Sequence, residues 1–185
     1  MIDAAVKLVA QKGLDSLTLA AVGVAAGYSR GLPTHHFKSR AALVAALTDS
    51  IAQSYVARVQ TNVPARSPLE DLLGSIEHYL GDVERDPVQW RSFMAIANAA
   101  LTDKDAAAAL SKVNARAIAA FERRLRAGIE AGQIRADLEP RAEAALILAT
   151  LRGLAALSLT DPKNQDFRQA RAAYLAAVRD RLQKR

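Results

Sequence analysis

Residues Thr18 to Arg40 read TLAAVGVAAGYSRGLPTHHFKSR, and the fold turns on this stretch. Two short helical segments, Leu19 to Ala25 and about Arg30 to His36, flank Ala26-Gly27-Tyr28. So short a break is no flexible loop. It suits a helix-turn-helix, whose tight turn often contains glycine. Gly27 can take the positive φ that a side chain resists, and Gly23 leaves room where a second helix crosses closely. Thr18 and Ser29 are suited to N-cap the two helices, while Val22, Ala26 and Tyr28 offer apolar contacts between them. The second helix presents Ser29, Arg30, Leu32, Thr34 and His35, with Lys38 and Arg40 just beyond. Such an element fits a DNA major groove. Pro33 has no N–H and is tolerated best in the first turn of a helix. The second helix is therefore predicted to start late or tightly, with a 3₁₀-like first turn.

The remaining chain is helical by period. Leu43, Leu47, Ile51 and Tyr55 recur along one long helix that runs towards Val63-Pro64. Leu69, Leu72, Leu73, Ile76, Leu80 and Val83 follow the 3.6-residue repeat. Asp86-Pro87 opens a helix carrying Trp90, Phe93, Met94 and Ala97. A segment from about Asp105 to Ala131 carries Leu110, Ala117, Phe121 and Leu125 and is closed by Gly132. Pro140 opens another helix that ends at Asp161-Pro162. The last, about Gln165 to Lys184, buries Phe167, Tyr174, Val178 and Leu182. No stretch alternates with period two between turn residues, so no sheet is expected. The predicted class is all-α, about nine helices in total. A helix-turn-helix domain over 1–40 precedes a helical domain over 41–185.

Composition narrows the function. A chain of 185 residues suffices for one compact domain or two small ones. Its net charge of +6 favours a polyanionic partner, although the basic residues are spread along the chain as a solvated helical surface would spread them. There is no cysteine, which excludes disulfides, thiol redox sensing and thiolate metal sites. No signal-peptide pattern opens the chain, so a cytoplasmic location is expected.

The segment PRAEAALILATLRGLAALSL, Pro140 to Leu159, is apolar on nearly every side. A surface helix of a monomer needs a polar face, so this one must be covered all round. A membrane span is disfavoured by its borderline length, its alanine content, and Glu143 and Arg152. Burial at the centre of the domain is one explanation. The better one places one side on the domain core and the other on a partner subunit, with Ala145, Ala149, Gly153 and Ala156 allowing close approach. Tyr174 and Val178 of the last helix lie beside them in an isologous two-fold interface.

Ile2 to Lys12 ending at Gly13, then Thr18-Leu19, Ala26-Gly27-Tyr28-Ser29-Arg30-Gly31 and His35-His36-Phe37, resemble the N-terminal domain of the TetR family of transcriptional repressors. Phe37 followed by Lys38-Ser39-Arg40-Ala41-Ala42-Leu43 is similar to that family's junction into its long fourth helix, with Arg40 where lysine is usual. Gly132-Gln133-Ile134-Arg135-Ala136-Asp137-Leu138-Glu139-Pro140 is a phrase familiar from its members. Pro33 in place of Leu or Ile, Thr34 in place of Tyr, and the missing basic arm before the first helix depart from the pattern. The resemblance implies a homodimer joined by a four-helix bundle, with a double-stranded DNA operator and a small-molecule inducer as partners.

Two copies related by a two-fold axis would read a pseudo-palindrome. Arg30 is the best candidate for a base edge, since its guanidinium can fork onto guanine. Leu32 and Thr34 suit a thymine methyl or the backbone, and Tyr28 belongs to the same surface. Thr18, Ser29, Lys38 and Arg40 suit phosphate clamping, and His35 suits either role. For the inducer, Trp90, Phe93, Met94, Phe121, Leu125, Leu148 and Leu151 form a candidate apolar pocket, with His78, Asn98 and Arg152 as orienting polar groups. At helical spacing the same residues fit a plain core equally well. No metal or cofactor site is expected: His35 and His36 point about a hundred degrees apart on a helix, and His78 is remote in sequence. No catalytic motif is visible. The rival reading is a helical small-molecule-binding module or enzyme that has lost DNA binding.

Overall fold

The computed structural model describes residues 1–29, 32–62 and 67–183. Among them nine α-helices follow one another: α1 (Ile2–Lys12), α2 (Leu19–Ala25), α3 (Leu32–His36), α4 (Arg40–Asn62), α5 (Pro68–Arg85), α6 (Pro87–Ala99), α7 (Lys104–Glu130), α8 (Pro140–Thr160) and α9 (Gln165–Leu182). A 3₁₀ turn, Leu14–Ser16, lies between α1 and α2. The expected all-α class holds; the described residues contain no strand, only an isolated bridge between Ile134 and Gln183. The helix ends follow local chemistry. Thr18 caps α2 by accepting from the Ala21 N–H at 3.1 Å, and Asp86 caps α6 ahead of Pro87. Glu139 precedes Pro140 in the same manner at α8. Each side-chain oxygen satisfies an N–H that the helix itself leaves unpaired.

The chain divides into two compact units, one of Met1–Val56 with Asp86–Asn114 and one of Ala57–Arg85 with Ala115–Arg185. A boundary at residue 40, drawn from the motif, follows a different division. Because α1 packs along α6 and on α2, the first unit takes in α6 and the start of α7. Its core includes Ala5, Val9, Leu17, Val22, Leu43, Leu47, Trp90, Phe93 and Ile96. Tyr55 meets Trp90 edge-on at 6.2 Å, and Trp90 meets Phe93 likewise at 6.0 Å, an arrangement aromatic quadrupoles favour.

In the second unit α5 packs against both α8 and α9, burying Leu72, Ile76, Ile147, Leu151, Val178 and Leu182. Arginines of α9 secure it to its neighbours. Arg179 holds Glu70 at 2.7 and 3.2 Å, Arg171 reaches Glu84 at 2.6 Å and the Leu80 carbonyl, and Arg181 pairs with Glu143. Gly132 ends the descent of α7 with φ of 68°, after which the Ile134 N–H donates back to the Gly128 carbonyl. Ile134 then lies so close over Gly128 that a Cβ there would meet its side chain at 2.4 Å.

Candidate functional site

The helix-turn-helix forms around a close crossing. After α2, Gly27 takes φ of 76° and the Tyr28 N–H donates to the Gly23 carbonyl at 2.9 Å. Among the described residues the second helix runs over Leu32–His36, and its expected start at Arg30 lies outside them. Pro33 lies near the N-terminal end of the described helix, where a missing N–H is tolerated best. The Ser29 carbonyl accepts from the Leu32 N–H at 3.2 Å. Pro33 itself is buried, against Gly23.

The surface of this unit displays much of the expected set. Thr18, Tyr28, Ser29, His35 and Lys38 are exposed, while Leu32 and Arg40 are half-buried. Val24 and Tyr28 stand 58% and 54% exposed, so apolar contact area remains open beside the polar groups. Arg30 lies outside the described residues, as does the side chain of Thr34. The Thr18 hydroxyl already serves the α2 cap. Arg40 holds a partner its position in the sequence does not announce: its Nη1 donates to Asp103 Oδ2 at 2.8 Å.

The residues expected to line an inducer pocket are divided between the units. Trp90, Phe93, Met94 and Asn98 belong to the first. There Trp90 and Phe93 are core, Met94 is half-buried, and Asn98 is exposed rather than enclosed. His78, Phe121, Leu125, Leu148, Leu151 and Arg152 belong to the second, where all but the half-buried Arg152 are buried.

Around His78 the second unit holds a polar cluster that sequence reasoning missed. Asp82, whose side chain is wholly buried, accepts a fork from Arg58 of α4, Nε to Oδ1 at 2.9 Å and Nη2 to Oδ2 at 2.7 Å. His78 Nε2 lies 3.7 Å from Asp82 Oδ1. Arg85 Nη1 donates to His78 Nδ1 at 3.3 Å, which leaves the proton of the neutral ring on Nε2. Burial lowers the imidazole's pKa from its ordinary value; Asp82 opposes this, and Arg85 and Arg58 add to it. Next to His78 in sequence, the Tyr79 phenol is pushed up to about 12 by burial, against the pull of Arg152 from α8. The clue was available: Asp82 falls on the apolar face of α5, at helical spacing from Leu72, Ile76 and Tyr79.

On α8 the buried side carries Ala144, Ile147, Leu148, Leu151 and Ala155. The opposite side exposes Leu146, Ala149, Gly153 and Leu157, the two leucines by 54% and 45%. Of the six residues expected at a dimer interface, Ala149 and Gly153 lie on this open face, and Ala145, Ala156 and Tyr174 are half-buried. Val178, the sixth, is 1% exposed in the single chain. By length and composition α8 could cross a membrane, but it buries Glu143 in a pair with Arg181. No group of three or more histidine and acidic residues among the described residues could hold a metal ion.

Comparison with known proteins agrees with both parts. Residues 1–47 match the profile of bacterial regulatory proteins of the tetR family, and 68–183 match that of the BetI-type transcriptional repressor C-terminal domain. No curated protein matches the chain. Among solved structures, a TetR-family transcriptional regulator from Rhodococcus sp. is similar at 22% identity and a TM-score of 0.88, over 99% of this chain and 96% of that one. SmeT, the repressor of the Stenotrophomonas maltophilia multidrug efflux pump SmeDEF, is similar at 23% identity and 0.78, over 99% and 88%. The regulator FadR from Bacillus subtilis, solved with stearoyl-CoA, is similar at 16% identity and 0.82, over 98% and 97%. At these identities the solved structures speak for the fold alone.

Proposed function

Since this chain belongs to the TetR family of bacterial regulatory proteins and is a DNA-binding transcriptional regulator, we propose that it is a cytoplasmic, homodimeric repressor released from a pseudo-palindromic operator by a small hydrophobic ligand. The observation that carries this reading is the helix-turn-helix itself. Its inner residues, Val22 and Pro33, are buried, and its outer ones, Tyr28, Ser29, His35 and Lys38, are left open. Arg30 reads a base edge, Leu32 and Thr34 meet methyl or sugar groups, and Thr18, Ser29, Lys38 and Arg40 hold phosphates. A single short helix touches too few base pairs to select a site among genomic competitors, so two copies are needed. The open face of α8, with Tyr174 of α9 near its margin, supplies the two-fold contact.

The ligand acts in the C-terminal part, where Phe121, Leu125, Leu148 and Leu151 give an apolar lining and His78 and Arg152 orient it. Trp90, Phe93 and Met94 respond to it. Acyl-CoA binding by the similar FadR supports a mainly apolar ligand. Release requires that the ligand favour one conformation over the other, since equal affinity for both would shift nothing. The test is a mobility shift with the DNA upstream of the protein's own gene. Wild type should retard it, and Arg30→Ala should lose about 1–3 kcal/mol with relaxed selectivity at one position per half-site. Equal losses on specific and random DNA would remove Arg30 from base reading. A wild type that retards neither would leave a helical ligand-binding module.

A further inference from the structure

Arg40 is the first residue of α4, immediately after the exposed Lys38 and Ser39, and the proposed function gives it a phosphate to hold. In the free protein it holds something else. Its Nη1 donates to Asp103 Oδ2 at 2.8 Å, with the two side chains 34% and 23% exposed. Asp103 is not a loose surface carboxylate. Its Oδ1 accepts the Asp105 and Ala106 N–H groups at 2.9 and 3.0 Å, capping α7. Those N–H groups, with Arg40, hold the carboxyl below its usual range, so it is charged at neutral pH. Anchored by its cap, the carboxylate cannot swing away when a phosphate approaches.

We propose that Asp103 is an internal counter-anion for Arg40 that lowers the affinity of the reading head for DNA phosphates. Two routes lead to the same outcome. Either Arg40 leaves Asp103 for a phosphate, losing one charged hydrogen bond to make another, or it keeps both and brings two anions together, which repel. In each case Asp103 opposes binding, and it does so on any DNA, because phosphates carry no sequence information. Asp103 contacts no base and sets no specificity. It is a determinant of overall affinity, 63 residues away in sequence from the cation it restrains.

The inference rests on the DNA-binding role assigned above, and its test is separable from that role. Fluorescence anisotropy with the full chain would measure binding to a random-sequence duplex and to the upstream duplex. Asparagine and serine both cap helices without charge, so Asp103→Asn keeps the start of α7, and Asp103→Ser gives the same reading should the asparagine variant fold poorly. Either should bind both duplexes more tightly, by about two- to fivefold per subunit, the range of partly exposed ion pairs. The slope of log affinity against log salt should steepen by up to about 0.9 per subunit. Neither gain should survive in an Arg40→Ala background. Unchanged or weaker binding would overturn the proposal, as would a gain that persists without Arg40, which would mark a mere change in net charge. A wild type that binds no duplex overturns the assigned role together with this one.

Discussion

Pro33 seats its ring on Gly23: a Cβ at position 23 would lie 3.1 Å from both Pro33 Cγ and Cδ, and 2.7 Å from the Ser29 carbonyl oxygen. The crossing of α2 and α3 is therefore closed by a pair, a residue without a side chain and one without an N–H. Proline at this position departs from the family pattern; it lies near the N-terminal end of the described helix, where a missing N–H is tolerated.

Gly23→Ala should destabilise the protein. Alanine improves helix propensity by up to about 1 kcal/mol, but the nearest obstacle is backbone, which cannot rotate out of the way, and overpacking costs about 1–3 kcal/mol. Adding Pro33→Ala should not restore the loss, since the Ser29 carbonyl remains. Denaturant midpoints and mobility shifts on both variants decide the matter. A Gly23→Ala protein as stable as wild type, with unchanged DNA affinity, would mean that the turn has slack the distances deny.

The second prediction concerns pH. His78 binds protons less readily in the folded protein than in the unfolded chain, chiefly because burial disfavours the imidazolium. Below about pH 6.5, the ordinary value, the unfolded state binds more protons, so stability falls as pH falls and levels off once the lower folded value is passed. Above about 6.5 neither state is protonated and the contribution vanishes. His78→Gln should remove this component. The comparison is the change in urea midpoint between about pH 7.5 and 5.5, a window that spans the histidine and stays above most carboxylates. An equal fall in both proteins would show that other groups carry the acid sensitivity.

Local signals were legible and remote partners were not. Thr18, Gly27, Pro87, Gly132 and Pro140 mark helix ends through chemistry confined to one turn, and each does in the structure what its residue type requires. Trp90 and Phe93 could not be assigned by spacing, because a pocket wall and a core face share the same period. They pack with Tyr55 in the first unit. Arg58 with Asp82 and Arg40 with Asp103 are joined across 24 and 63 residues, and no periodicity within a helix reports a partner on another. The apolar character of α8 was plain. Which residues face outward depends on how α5 and α9 cover it, so spacing alone points to the small residues of α8 and not to Leu146 and Leu157.

Those two leucines give the last prediction. With Ala149 and Gly153 they form the open stripe of α8, and a dimer closed there would bury it. Leu146→Glu alters a side chain that is 54% exposed in the single chain, so the fold of the subunit should survive, and circular dichroism should show its helix content intact. In a closed interface the same carboxylate would be stripped of water without a cation opposite. An uncompensated buried charge costs about 3–5 kcal/mol, and two-fold symmetry places one from each subunit in the contact. Sedimentation should find the wild type dimeric and the variant monomeric at equal concentration. DNA affinity should drop with assembly, because a monomer retains one half-site. By contrast, Val178→Glu should unfold the subunit rather than merely part the pair, its position being 1% exposed. A Leu146→Glu protein that sediments as the wild-type dimer would exclude this face of α8 from the interface.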